Sequence, residues 1–362
     1  MNALGKSQLA DNELAFGIFD WLDGDPSHSA ELYEQRLEML TYADQAGFYA
    51  YHLAEHHGTP LGLAPSPNVF LAATAGRTRR LRLGPMVSVL PLYQPVRLAE
   101  EISMLDQLSR GRLELGFGRG TSPMELAAFG VDATDSRALM EEALQIIVMG
   151  LSTGAVEFEG NYFCIHGAVS IVPTVQRPYP PLWYPTARRQ SIPWAARHGM
   201  NFLDNFVSAL LEADNAAPPP IATYDNAYAE HRFDTGRLNA HIPSPRRGFV
   251  RHVVIGGSQA EAEAVARAAY QVFADHFNCL ATSRGGPRLL RMTFDEFTDH
   301  GLMLVGNVES VTDQLVAQLE LNGGDYFAGT FAFGGMRTVD ILRSVTLFAS
   351  EVVPRVRRAR HG

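Results

Sequence analysis

Short apolar strands alternate with longer amphipathic segments about eight times along the chain, which predicts an α/β protein built on a closed (β/α)8 TIM barrel with insertions. Two further observations agree. Glycines stand where the amphipathic segments should stop, as at Gly47, Gly111 and Gly199. The chain of 362 residues also suits one barrel-sized unit, since such barrels routinely run to about 250 residues or more as a single domain. The same alternation allows a doubly wound open sheet as the alternative.

The elements follow in order. Ala15 to Phe19 reads as the first strand. Ser29 to Ala46 reads as a helix, with Leu32, Leu37, Leu40 and Ala43 on its apolar side and Gly47 after its end. Phe48 to Leu53 is the second strand and Pro67 to Gly76 the second helix. Leu81 to Leu90 is the third strand, and Val96 to Leu108 is a helix closed by Gly111. Arg112 to Phe117 is the fourth strand and Ser136 to Leu151 its helix. Pro181 to Pro185 reads as a strand, followed by a helix from Ile192 to His198. Asn201 to Phe206 and Phe249 to Ile255 are further strands, and Gln259 to Asp275 is a helix. A helix from Val308 to Leu321, a strand from Tyr326 to Phe333 and a helix from Thr338 to Val353 close the series.

Two stretches break this rhythm. Residues 157–173 carry short alternating runs with Gly160 and Gly167, which reads as an inserted hairpin. Residues 278–300 are long for a connection inside a compact domain, and are a candidate lid. Ala217-Pro218-Pro219-Pro220 reads as a stiff loop. The whole chain, 1–362, reads as one domain.

Composition narrows the function. The chain is 46% apolar and 19% charged, with a formal net charge of −9. That balance argues against a nucleic-acid binder, which would present a basic face. The basic run Arg355 to Arg360 reads as a solvated helix end, where cations suit the dipole. No apolar run is long enough for a membrane helix, and no signal-peptide core follows Met1 to Ser7. Two cysteines, Cys164 and Cys279, exclude a disulfide scaffold and a four-cysteine zinc site. They fit a reducing, cytoplasmic setting.

His52-Leu53-Ala54-Glu55-His56-His57 carries the first candidate chemistry. Its opening five residues fit H-x-x-E-H, a zinc-protease pattern that requires a helix. Here the segment reads as a strand, on which residues four apart lie about 13 Å from each other. Zinc bonds of about 2 Å cannot span that distance. At the C-terminal end of a barrel strand, Glu55, His56 and His57 are instead candidates for acid–base work. His52 lies before the mouth and reads as structural. Gly116-Phe117-Gly118-Arg119-Gly120 follows the fourth strand with G-x-G-x-G spacing, which is not the dinucleotide fingerprint. It offers open backbone that a flat ring could approach, and one guanidinium. Arg137 falls in the first turn of a helix, where a cation opposes the dipole. Either a bound phosphate or a salt bridge to Asp132 or Asp135 would offset that. Arg188, Arg189 and Ser191 form a second cationic spot in a late strand–helix loop, a common phosphate position in such barrels.

Several runs together resemble one family. They are Pro95-Val96-Arg97-Leu98-Ala99-Glu100, Leu105-Asp106-Gln107-Leu108-Ser109-Arg110-Gly111-Arg112, Glu55-His56-His57, Ser136-Arg137-Ala138-Leu139-Met140 and Trp194-Ala195-Ala196-Arg197-His198-Gly199. The chain resembles the bacterial luciferase-like flavin monooxygenases, most closely from Phe16 to Phe206. The resemblance implies a barrel that takes FMN in reduced form from a separate flavin reductase. Dioxygen then adds to the reduced ring, and the resulting peroxyflavin oxygenates a small organic substrate. His56 matches the family's active-site histidine and His57 its neighbour. Arg119 matches an arginine near the flavin, Arg137 a phosphate ligand and Ser191 a phosphate-contacting hydroxyl. Arg188 falls where luciferases have a serine. Met86-Val87 falls where the family often has a non-prolyl cis peptide under the ring. A homodimer is also implied.

One departure stands out. Gly118 replaces a larger residue, often cysteine, so a roomier pocket is expected there. Phe19, Trp21, Tyr93 and Trp183 point to a substrate with sizeable apolar surface. Two alternatives stay open on the same fold: deazaflavin-dependent hydride transfer, and a flavin-binding barrel without catalysis.

Overall fold

The computed structural model describes residues 13–186, 188–205 and 218–361. The readings on Met1 to Ser7, Phe206 and Ala217 lie outside these residues.

The strands are β1 (Ala15–Asp20), β2 (Ala50–Leu53), β3 (Arg82–Pro85), β4 (Ser88–Val89), β5 (Leu115–Gly118), β6 (Ala155–Glu159), β7 (Cys164–Ser170), β8 (Leu182–Trp183), β9 (Phe202–Asp204), β10 (Arg247–Ile255), β11 (Met303–Gly306) and β12 (Tyr326–Thr330). The helices are α1 (Ser29–Ala46), α2 (Pro67–Arg77), α3 (Pro95–Ser109), α4 (Pro123–Ala128), α5 (Ser136–Thr153), α6 (Ile192–Arg197), α7 (Pro220–His231), α8 (Gln259–Thr282), α9 (Phe294–Asp299), α10 (Val308–Asn322), α11 (Thr338–Leu347) and α12 (Val353–His361).

The pairing closes a ring of parallel strands. β12 pairs with β1, β1 with β2, and β2 with β3. A bridge from Leu83 to Leu113 and the pairing of β4 with β5 carry the ring onward. β5 pairs with β8, Trp183 bridges to Asn201, β9 pairs with β10, and β10 returns to β12. This is the predicted barrel, and the open sheet is excluded. β11 adds to the far half of β10 outside the ring. Residues Ala155 to Ser170 form an antiparallel hairpin of β6 and β7.

Local chemistry explains the boundaries. α1 ends at Gly47 with φ 86°, and α3 runs into Arg110 and Gly111 with φ 59° and 78°. Pro67, Pro95 and Pro123 sit in the first turns of their helices, where no N–H is needed. The same rule makes Pro220 the start of α7 rather than the end of a loop. The third strand is split at Met86-Val87, whose peptide bond is cis. α8 runs seven residues beyond the predicted Asp275, which shortens the following connection. Asn278 then fixes that connection: its side chain accepts from the N–H groups of Leu289 and Leu290 and donates to the carbonyls of Ala274 and Leu290.

Aromatic rings fill the barrel. His52 lies between Trp183 and Tyr326, at centroid distances of 4.9 and 5.7 Å. Beneath it Glu114 accepts from the Trp183 indole (2.5 Å) and the Tyr49 hydroxyl (3.0 Å), and pairs with Arg82. Adjacent strands approach so closely that a Cβ at Gly84 would stand 1.7 Å from the Glu114 carbonyl oxygen. Outside the ring, Asp20 at the end of β1 accepts from Arg36 of α1, the Tyr51 hydroxyl and the Leu22 N–H. This buried pair fixes α1 against the sheet.

His52 is fully buried, and neither ring nitrogen has a hydrogen-bond partner. Burial and the charge of Arg82 push its pKa down to about 3. Unfolding therefore takes up a proton as the pH falls below the unfolded value of about 6.5. Stability is lost on that descent, towards the folded pKa. His52→Leu removes the term. The variant's unfolding free energy relative to wild type should rise by about 2 kcal/mol between pH 7.5 and 5. Urea unfolding across that range checks this, and a constant difference would contradict it.

Candidate active site

The mouth of the barrel is organised by two glutamates. Glu55 follows β2 and its side chain has no exposure. One of its oxygens accepts from His57 Nε2 at 3.0 Å; the other accepts from the Val89 N–H at 3.0 Å and the Tyr93 hydroxyl at 2.9 Å. Burial, and then the charge of Glu55, raises the Tyr93 phenol above its ordinary value. Glu55 thereby ties the β2 mouth to the segment after the cis bond.

His56 faces the opposite way. Its Nδ1 lies 3.1 Å from Glu125 of α4, and the same carboxylate oxygen accepts the His57 N–H at 2.7 Å. Burial pushes the Glu125 carboxyl up. The hydrogen bond and charge of His56 and the His57 N–H outweigh this and hold it below the ordinary carboxylate range. With Nδ1 donating to a carboxylate, neutral His56 presents the lone pair of Nε2. The ring stacks on Trp21 at 5.3 Å and 28°. Trp21 is held in turn by Phe19, Phe273 and Phe277.

Glu125 escaped the sequence reading. A signal was present: Ser122-Pro123-Met124-Glu125 has the Ser-x-x-Glu spacing of a helix start, with proline at the first position. In the structure the Ser122 hydroxyl does accept the Glu125 N–H at 3.3 Å. The Glu125 side chain goes to the histidines instead of back to the cap.

The second part of the mouth is cationic. Arg119 and Arg188 line a cavity of about 250 Å³ together with Gly120, Thr121 and the approach to α5 at Thr134 and Ser136. Burial, then the positive charge of Arg188 and of Arg137, lower the pKa of Arg119, so the three guanidiniums share one field. Burial raises the Tyr184 phenol, and the charges of Arg137 and Arg119 act against this. The Ser191 N–H donates to the Arg188 carbonyl at 2.9 Å. Arg137 pairs with Glu141 one turn along α5 at 2.9 Å, not with Asp132 or Asp135. Those two acids bind Thr134 and the Tyr162 hydroxyl instead. Asp135 at the α5 N-cap makes no side-chain capping bond. The helix thus presents its positive end beside gathered cations, an arrangement that favours an anion.

Between the two parts lie Met86, Val87 and Gly118. A Cβ on Gly118 would come within 3.0 Å of Val87. The room expected there is taken by Val87. Trp183 and Tyr93, read as apolar lining, each donate to a carboxylate, and Trp183 sits deep in the barrel rather than at the mouth. Among the described residues no three His, Cys, Asp or Glu side chains are grouped to hold a metal.

Residues 14–326 match the family described as luciferase-like monooxygenase. The chain is 37% identical to y4wF, an uncharacterized protein of Sinorhizobium fredii (strain NBRC 101917 / NGR234), over 96% of this chain and 99% of that one. It is 27% identical to limonene 1,2-monooxygenase of Rhodococcus erythropolis, over 94% and 86%. It is also 27% identical to the oxygenase component of the flavin-dependent trigonelline monooxygenase of Acinetobacter baylyi (strain ATCC 33305 / BD413 / ADP1), over 73% and 71%. Among solved structures, monooxygenase RslO1 of Streptomyces bottropensis superposes with a TM-score of 0.81 at 24% identity, covering 94% of this chain and 99% of that one. The oxygenating constituent of 3,6-diketocamphane monooxygenase of Pseudomonas putida, in complex with FMN, gives 0.75 at 18%, covering 95% and 98%. An F420-dependent secondary alcohol dehydrogenase gives 0.69 at 16%, covering 95% and 99%. At these identities the structural likenesses establish the fold.

Proposed function

The chain belongs to the luciferase-like monooxygenase family, and on that premise we propose that it is the oxygenase component of a two-component FMN-dependent monooxygenase. Its substrate on this reading is a small, largely apolar organic molecule, and its reduced FMN comes from a separate flavin reductase. The observation that carries the cofactor choice is the cationic cavity at the start of α5. Arg119 and Arg188 line it, Arg137 adds to its field, and Ser191 lies close by. A phosphate dianion offsets the mutual repulsion of these groups and complements the helix end. The FMN complex of the diketocamphane oxygenase, on the same fold, supports the reading. The trigonelline enzyme's description as an oxygenase component supports a separate reductase.

In this reading Arg119, Arg137, Arg188 and Ser191 hold the phosphate. Met86, Val87 and Gly118 support the flavin ring. When bound, reduced flavin supplies the electrons that activate dioxygen. The chain's own residues do the rest. His56 holds or moves a proton at Nε2, beside the Trp21 ring. Glu55 keeps the Val89 backbone, Tyr93 and His57 in place. The aromatic wall of Trp21 and Phe277, backed by the fully buried Phe273, excludes water and takes the apolar part of the substrate. Hydride transfer with a deazaflavin is the second reading, favoured by the F420-dependent neighbour.

A homodimer and a cytoplasmic location accompany the proposal. On α3, Met104 and Leu108 stand one turn apart and are each 58% exposed, and Val69 of α2 is 71% exposed. Such a face suits a second copy of the chain. Light scattering should return the mass of two chains, and the mass of one would remove the dimer. Among the described residues no helix is long and apolar enough to cross a membrane.

Arg188→Ala and Arg137→Ala test the phosphate assignment. Each should weaken FMN binding by about tenfold or more, the loss of one charge-assisted hydrogen bond. Riboflavin, which lacks the phosphate, should bind as it does to wild type. Equal losses for both ligands would refute the assignment.

A further inference from the structure

One six-residue helix touches both parts of the mouth. α4 stands between Gly120 and Gly130, whose φ values of +80° and +75° are conformations that L side chains rarely adopt. Pro123 and Leu126 of α4 form part of the wall of the anion cavity. Glu125, between them, is 9% exposed and turns away from that cavity to His56 and His57. The cavity wall and the partner of His56 are therefore carried by one rigid turn. The charges on the cavity bear on the placement of that turn. Arg119 immediately precedes Gly120, and Arg188 faces it with the same sign. Without an anion the two repel; with one between them both are drawn to it. A pull on Arg119 acts on the segment that enters α4.

We propose that Glu125 is the positioning residue for His56, and that an anion held by Arg119 and Arg188 sets the helix that carries it. Glu125 is not among the residues that line the cavity. It acts by fixing the proton of His56 on Nδ1, which leaves Nε2 to the reaction. The arrangement makes the readiness of His56 depend on occupancy of the phosphate cavity. The identity of the anion rests on the FMN reading above; the role of Glu125 towards His56 does not.

The test reads the His56 ring by nitrogen NMR in protein labelled with ¹⁵N-histidine, assigned against His56→Gln. Wild type, Glu125→Gln and Glu125→Leu are compared free, with FMN, with riboflavin and with inorganic phosphate. In wild type the directly bonded proton should be on Nδ1. Glu125→Gln should keep it there, because the amide oxygen still accepts. Glu125→Leu fills similar space without an acceptor, and should spread the proton over both nitrogens. Inorganic phosphate should shift the wild-type His56 signals, FMN should shift them beyond the change that the ring of riboflavin alone produces, and the leucine variant should lose the phosphate response. Its FMN affinity should stay within about threefold of wild type, since Glu125 does not line the cavity. A wild-type tautomer in Glu125→Leu overturns the positioning role, and Glu125→Ala repeats the comparison if the leucine variant does not fold. FMN binding with no change of His56 beyond that of riboflavin overturns the link between the two parts. Failure to bind FMN overturns the cofactor reading alone; the tautomer comparison still decides the role of Glu125, and inorganic phosphate decides the link.

Discussion

A carboxylate shut away from water must have its lone pairs met by donors, or its charge costs several kcal/mol. Glu55 meets that demand by drawing three segments to one point: His57 from its own loop, the Val89 N–H from beyond the cis Met86-Val87 bond, and the Tyr93 hydroxyl from the approach to α3. Much of the mouth follows from this. With the His57 ring committed to Glu55, its backbone N–H is turned to Glu125. His56, next to it, is presented between Trp21 and the same glutamate. The two histidines are thus held by different carboxylates through different nitrogens, Nδ1 in one and Nε2 in the other. Neighbours in sequence are thereby made chemically distinct.

The mouth has two poles. Glu55 and Glu125 make one side acidic, and Arg119, Arg137 and Arg188 make the other basic. Gathering three guanidiniums costs energy in the free protein, and a bound anion offsets it. A cofactor with a phosphate tail and a flat ring matches this polarity. On the proposed reading its tail would meet the cations, and its ring would extend towards Gly118 and the histidine side. α4 lies between the poles: Pro123 and Leu126 line the basic side, and Glu125 reaches His56 on the acidic one.

Much of the barrel was legible in the sequence. α1 begins at Ser29 and ends at Ala46 as its pattern and Gly47 indicate, and the first strand, Ala15 to Phe19, extends only one residue further to Asp20. The strand mouth carrying Glu55, His56 and His57 could be placed because polar residues there follow an apolar strand. Other features were not legible, for physical reasons. α4 has six residues, too few for a helical period to show, and its Glu125 reaches a histidine 69 positions away. For Arg137 the helix dipole pointed to a phosphate or to Asp132 or Asp135, but its intramolecular partner is Glu141, one turn on, which a reading confined to the residues before the helix passes over. The room inferred at Gly118 was filled by Val87, a neighbour across the strands that no local pattern reveals. His52 reads as structural from its place before the mouth, and its core position agrees, although both nitrogens lie without partners.

The proposed function requires that this mouth bind reduced FMN and direct its reaction with dioxygen. The most direct measurement is rapid mixing of the protein, loaded anaerobically with reduced FMN, against dissolved oxygen, with the flavin absorbance followed over time. Two resolved steps are expected, with oxidised flavin appearing only in the second and more slowly than in free solution. Reoxidation in a single step at the rate of unbound FMN would contradict the proposed function, and would turn attention to hydride transfer with a deazaflavin.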